Sequence, residues 1–211
     1  MYLTEIRFCS DIGMFAFDRP RSTCKHRTKF CMEHCYNGKL YSLYELEGKD
    51  KRNEEQWQAC SGSELGKTLA RKRKQTARFR LATRGESLAG VSDIAKVYKM
   101  ALSAPDTLIW LPTRAWHKGY ILRLLEKFIM PLKNVRLMAS IDPSDDIEFV
   151  KFIANRGWST MFFGDDLNHP LQDDYEIHKC AKTFAGIKGA CATCTGGCFM
   201  EEQVHVWLKE H

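Results

Sequence analysis

The sequence predicts an α/β fold: a parallel sheet or partial (βα) barrel of about five or six units with a cysteine-rich C-terminal segment. Three observations carry this. From Arg78 onward, short apolar strands alternate with amphipathic helices. Successive strands start about 25–30 residues apart, the spacing of βα units, and right-handed crossovers place such strands in one sheet. The strands also run into polar, charged or glycine-containing stretches at their carboxyl ends, where folds of this kind gather their functional side chains.

Each element follows from its local pattern. Met14–Phe17 is a short apolar strand, and Lys39–Leu46 alternates like a hairpin arm or irregular strand. Asn53–Gln75 is rich in helix formers and breaks at Ser61-Gly62-Ser63. Arg78–Ala82 is a strand, and Val91–Leu102 is a helix capped by Ser92 or Asp93 and stopped near Pro105. Thr107–Leu111 is a strand. Lys118–Ile129 is a helix with Ile121, Leu124, Leu125 and Phe128 on one face. Val135–Ala139 is a strand, and Asp145–Asn155 is a helix whose acidic first turn suits the helix dipole. Trp158–Phe163 is a strand, Thr183–Ile187 reads as another, and Glu201–Lys209 reads as a closing helix. The chain is expected to form one domain over residues 1–211: a strand and three-cysteine loop within 1–50, βα units over 78–188, and a cysteine cluster over 180–199.

Composition narrows the function classes. A chain of 211 residues with 44% hydrophobic residues can bury a full core, at roughly 70% of its unfolded surface, which excludes disorder. Its longest apolar runs, such as Thr107–Pro112, fall far short of the ~20 residues of a membrane span, so no membrane partner is expected. The opening Met1–Arg7 lacks a basic start followed by an apolar stretch, so a cytoplasmic, reducing setting is expected. Nine cysteines in such a setting point to metal or cluster ligation.

The cysteines are grouped. Cys24, Cys31 and Cys35 form C-x6-C-x3-C after the first strand; Cys180, Cys191, Cys194 and Cys198 form C-x10-C-x2-C-x3-C near the C-terminus. Four thiolates close the shell of a zinc ion or ligate every iron of a 4Fe–4S cluster. Three leave one iron open, unless His26 or His34 supplies a fourth ligand. Cys9 and Cys60 read as small apolar residues. Both groups could also share one centre.

The strand ends expected at the rim are Thr83-Arg84-Gly85-Glu86-Ser87, Pro112-Thr113-Arg114, Ser140-Ile141-Asp142 and Gly164-Asp165-Asp166. Helix capping accounts for Asp145, Asp146 and Ser87 but not for Arg84, Glu86 and Arg114, so a shared rim site is expected. Ser61–Thr68 approaches a P-loop but lacks the leading glycine and the buried strand, and is rejected. Lys67, Arg71, Lys72, Arg73, Lys74, Arg78 and Arg80 form an acid-free basic run. It could neutralise phosphates, with Lys67 to Lys74 as the contact residues, or simply be a solvated helix face. Trp110, Trp116 and Trp158 read as core, with stacking on a base as the alternative for Trp116. His117 reads as a helix-start residue.

Phe15-Ala16-Phe17-Asp18, Thr23-Cys24, Cys31-Met32-Glu33-His34-Cys35-Tyr36, Arg78-Phe79-Arg80-Leu81, Gly85-Glu86 and Cys198-Phe199 together resemble the phage gene product 88 family, over roughly Gly13 to Phe199. A phage origin implies the host cell cytoplasm. A more distant resemblance is to radical S-adenosylmethionine enzymes of the spore-photoproduct-lyase-like kind. It implies an open 4Fe–4S cluster on Cys24, Cys31 and Cys35 and S-adenosylmethionine as cofactor. It further implies cofactor contacts from Gly85, Glu86, Ser140 or Asp142 and Arg114, and a second cluster on Cys180, Cys191, Cys194 and Cys198. The spacing departs from the C-x3-C-x2-C of those enzymes, with Gly38 where a cysteine would fall. The competing class is a binding module stabilised by a cluster, or by zinc at the four-cysteine site, that contacts nucleic acid or a host protein through the basic helix.

Overall fold

The computed structural model describes residues 6–35, 46–73, 75–164 and 168–209. In chain order the elements are β1 (Arg7–Cys9), β2 (Met14–Phe17), α1 (Lys29–Glu33), α2 (Leu46–Ala59), α3 (Gly62–Lys72), β3 (Arg78–Leu81), α4 (Val91–Leu102), β4 (Leu108–Thr113) and α5 (Gly119–Leu124, continued by a π turn over Leu125–Ile129). Then come β5 (Val135–Ile141), α6 (Ile147–Asn155), β6 (Ser159–Gly164), β7 (Ile177–Lys179), α7 (Ala181–Ala185), α8 (Ala190–Thr193) and β8 (His205–Lys209). They build one eight-stranded sheet in the order β1-β2-β3-β4-β5-β6-β8-β7, parallel at every pairing except β1 with β2. The sheet is open rather than closed into a barrel.

Strand alternation gives the sheet two different faces. On the outer face Phe15, Phe17, Phe79, Leu81, Ile109, Leu111, Leu137 and Ile141 pack with Trp57, Leu65, Leu69, Val97, Ile121 and Ile153 of helices α2 to α6 in the main core. On the inner face Met14, Ala16, Trp110, Met138, Met161 and Val206 form a second cluster. Phe199, Cys180, Cys191 and Cys198 of the C-terminal segment pack on it. Trp116 and Trp158 are fully buried, so Trp116 is core and cannot stack on a base.

Local chemistry explains most boundaries. Ser61 and Glu64 form a capping box that starts α3, at the break expected from sequence. The glycines of the rejected P-loop have a packing role: a Cβ on Gly62 or Gly66 would lie 2.2 Å from the Lys96 carbonyl or 2.4 Å from the Met100 carbonyl of α4. The two helices thus touch backbone to backbone. The π turn in α5 rotates the expected apolar face, so Ile129 is buried while Phe128 is 39% exposed.

Three readings need correction. Glu201–Lys209 is not a helix: His205–Lys209 is a strand inserted in parallel between β6 and β7. Thr183–Ile187 is not a strand, since Ala181–Ala185 forms α7. Helix α4 is entered from Gly90, with no side-chain cap, because Asp93 instead accepts from Trp57 Nε1 at 2.7 Å. Lys39–Tyr44 and Glu45 of the expected hairpin arm, Lys74, and Asp165-Asp166 lie outside the described residues, and Leu46 opens α2.

G66A is expected to cost roughly 1–3 kcal/mol through overpacking, read as a lower urea midpoint. G119A, whose added methyl meets only Arg123 at 4.0 Å, should leave the midpoint unchanged or raise it. Burial pushes His205 and His169 down to about 4. The unfolded chain then takes up protons first, so unfolding free energy should decline as pH falls from about 6.5 towards 4. In NMR both rings should still be neutral at about pH 6; titration midpoints near 6.5 for either would contradict this.

Candidate functional site

Residues 18–28 carry the first cysteine across the carboxyl ends of the strands, and buried polar contacts fix their path. Asp18 accepts from the Thr83 amide at 2.9 Å and the Arg84 amide at 3.1 Å, and pairs with the Arg84 guanidinium at 3.0 Å. Arg84 also pairs with the fully buried Asp50 at 2.8 Å. Arg19 pairs with Glu54 at 2.8 Å and Asp93 at 3.1 Å, and donates to the Glu86 carbonyl. Thr23 accepts from the Glu86 amide at 2.8 Å. Thr28 caps α1 by accepting from the Cys31 amide at 3.0 Å, and donates to Asp142 at 2.5 Å.

These contacts explain Gly85 and Glu86. Gly85 has φ +75°, and a Cβ there would lie 2.4 Å from the Arg19 carbonyl. The buried Glu86 carboxylate accepts from the Leu88 amide, the Thr113 hydroxyl and the Arg114 amide at 2.9–3.0 Å. Burial pushes its carboxyl above the usual range, against the pull of those donors. Arg114 bridges Asp142 at 2.7 Å and Asp145 at 2.8 Å, and His117 adds a 2.6 Å contact to Asp145. Burial works against the Asp145 carboxylate. The His117 hydrogen bond and the Arg114 charge outweigh it and hold Asp145 below the usual range. The rim residues expected at the ends of β3, β4 and β5 therefore meet, and several are already spent on one another.

The result is a cavity of about 190 Å³ at the carboxyl edge of the sheet. Cys24, Cys31 and Cys35 line it together with Glu86, Arg114, Ser140 and Asp142. Cys31 lies within α1 and Cys35 follows its C-cap His34, and both line the cavity. Burial, with the charges of Glu86 and the other two cysteines, pushes Cys24 up to about 12; burial also raises Cys31. Both are neutral thiols at neutral pH unless a cation draws off the proton. His26 lines the same cavity, with both ring nitrogens buried and unpartnered.

The second cysteine group lies on the inner face. Cys180, Cys191, Cys194 and Cys198 line a cavity of about 330 Å³ with Trp110 and His178. Arg78 donates to the Cys191 and Cys194 carbonyls at 2.7 and 2.9 Å, and its guanidinium lies 4.6 Å from the Phe199 ring. Lys182 pairs with Asp11 at 2.7 Å. Burial and the neighbouring thiols raise Cys198 and Cys191. Gly196 and Gly197 leave room for the His178 ring, which a Cβ on either would meet at 2.8 Å. His178 sits on β7, a three-residue strand too short to signal itself in sequence. The two cysteine groups occupy separate cavities. Among the described residues, no group of three or more His, Cys, Asp or Glu side chains is gathered closely enough to hold one metal ion.

A further cavity, about 490 Å³, opens at the amino ends of β5 and β6, away from the rim residues. The basic run divides. Lys67 and Arg71 are exposed on α3, and Arg73, exposed at its C-cap, pairs with Asp106 at 3.1 Å; Lys72 lies over Phe15 at 4.6 Å. Arg78 and Arg80, on β3, turn inward. Among the described residues, no helix is long and apolar enough to cross a membrane.

Replacing Arg114 would leave Asp142 and Asp145 buried without their cation. R114M should therefore cost roughly 3–5 kcal/mol in denaturant unfolding, and a loss below about 1 kcal/mol would contradict the network.

A family model described as Gene product 88 matches residues 7–199. No curated protein and no solved structure matches the chain.

Proposed function

The chain belongs to the Gene product 88 family of phage proteins, and we propose that it is an iron–sulfur protein with a radical S-adenosylmethionine-like open centre. One observation carries the reading: three thiols on a short N-terminal loop face one cavity at the carboxyl edge of a parallel sheet, beside a rim of fixed polar groups. In this reading Cys24, Cys31 and Cys35 hold a 4Fe–4S cluster with one iron free of protein ligands. The donor set suits it, being three soft thiols with an unpartnered imidazole, His26, in the same cavity. The four thiols of the second cavity are donors of the right kind for a closed second centre, a cluster or zinc, once drawn together around it.

Bound together, such a cluster and S-adenosylmethionine supply one-electron reductive cleavage of the cofactor. This chain's residues bind and orient. The Thr28–Asp142–Arg114 contacts hold the α1 turn over the cavity. Gly85 and Glu86 keep the loop at the end of β3, and Ser140 and Asp142 bring β5 to the cofactor. Met161, Phe163 and Leu208 limit water on one side. The second centre fastens the C-terminal segment to the inner face.

Anaerobic purification and reconstitution should yield about eight irons and eight sulfides per chain if both centres are clusters, or about four of each if the second is zinc. C31A should remove the rim cluster and leave the second centre. Reduction with S-adenosylmethionine should release 5′-deoxyadenosine from the wild type and not from C31A. Zinc with no iron, or iron content unaffected by C31A, would overturn the reading.

A further inference from the structure

We propose that Arg80 is the seat of an organic oxyanion, a carboxylate or phosphate on an apolar or aromatic body, bound in the rim cavity. Arg80 lies on the inner face of β3, in register with Ala16 on one side and Trp110 on the other. Its guanidinium lies 4.2 Å from the Trp110 ring centroid and lines the cavity. Its Nε is buried without a hydrogen-bond partner, and among the described residues no carboxylate pairs with it. The two carboxylates that line the same cavity, Glu86 and Asp142, are engaged elsewhere. Glu86 holds three donors from this chain, and Asp142 holds Thr28, Ser144 and Arg114. Arg84 and Arg114, which face the same cavity, each pair with two aspartates. Arg80 is therefore a cation on the wall of this cavity with no carboxylate partner among the described residues.

A cation withdrawn from water without a partner is costly, and an oxyanion offers bidentate acceptors that match a guanidinium edge. Stacking on Trp110 fixes that edge before the ligand arrives, so little ordering remains to oppose binding. The unpartnered His26 ring supplies a further polar contact, and Pro112, Met161, Phe163 and Leu208 supply the apolar wall that sets the body of the ligand. The inference names the ligand class for the cavity that the preceding reading gives to a cluster. It rests on that cavity and not on iron.

The test uses the full chain in metal-free form, with phenyl phosphate, benzoate and neutral benzamide as probes in calorimetry. At least one anion should bind and benzamide should not; which anion binds more tightly separates phosphate from carboxylate. Added salt should weaken binding. R80Q, with folding checked by circular dichroism, should weaken it tenfold or more, and R80K should restore part of it. Removing the surface charge of Lys67 by K67Q should leave it unchanged. Failure of the wild type to bind either anion, or equal binding by folded R80Q, overturns the proposal. Because no iron is involved, neither result bears on whether a cluster forms.

Discussion

The buried ionic contacts of residues 18–28 decide where the first three cysteines stand. Asp18, Arg19, Asp50, Glu86, Asp93 and Asp142 are all under 10% exposed, and each meets an opposite charge or several donors. Such networks add little net stability, because desolvation offsets the attraction. Their strength is selectivity: any other path for the loop would strand several charges out of water. The loop is thereby held at the ends of β3, β4 and β5 together, although its own helix has five residues and no buried side chain.

The same logic shapes the inner face. An ordinary doubly covered sheet would place helices there. Here the strands β2 to β6 follow in sequence order, the main helices share the outer face, and the inner face is left to Met14, Trp110, Met138 and Met161. The C-terminal cysteine segment covers it, held by Arg78 from β3 and by the turn after β1, where Gly189 donates to the Asp11 carbonyl. Arg80 and Trp110 are side by side between the two cavities, Arg80 lining one and Trp110 the other. Strand β8 completes the sheet after the last cysteine.

Much of this was legible in the sequence, for reasons particular to the residues. The βα spacing and strong apolar periodicity located β3 to β6 and their helices, and the strand ends pointed to Gly85, Glu86, Arg114, Ser140 and Asp142. What stayed hidden was short or non-local. Strand β8 follows Glu201-Glu202-Gln203, good helix formers, and its five residues are buried by neighbours far away in sequence. Strands β1 and β7 have three residues each, too few for a period. Arg80 read as part of one basic run, because charge counting does not register that the chain passes from helix to strand before Arg78 and that alternation then turns Arg78 and Arg80 inward.

The two cysteine groups line separate cavities, one at the carboxyl rim and one on the inner face, and the proposed function gives each its own centre. Anomalous diffraction at the iron edge from anaerobically grown crystals tests it most directly. Two centres give an iron peak among Cys24, Cys31 and Cys35, and a second metal peak enclosed by Cys180, Cys191, Cys194 and Cys198. A single peak shared by both groups, or no iron at the rim in protein that carries iron, would contradict it.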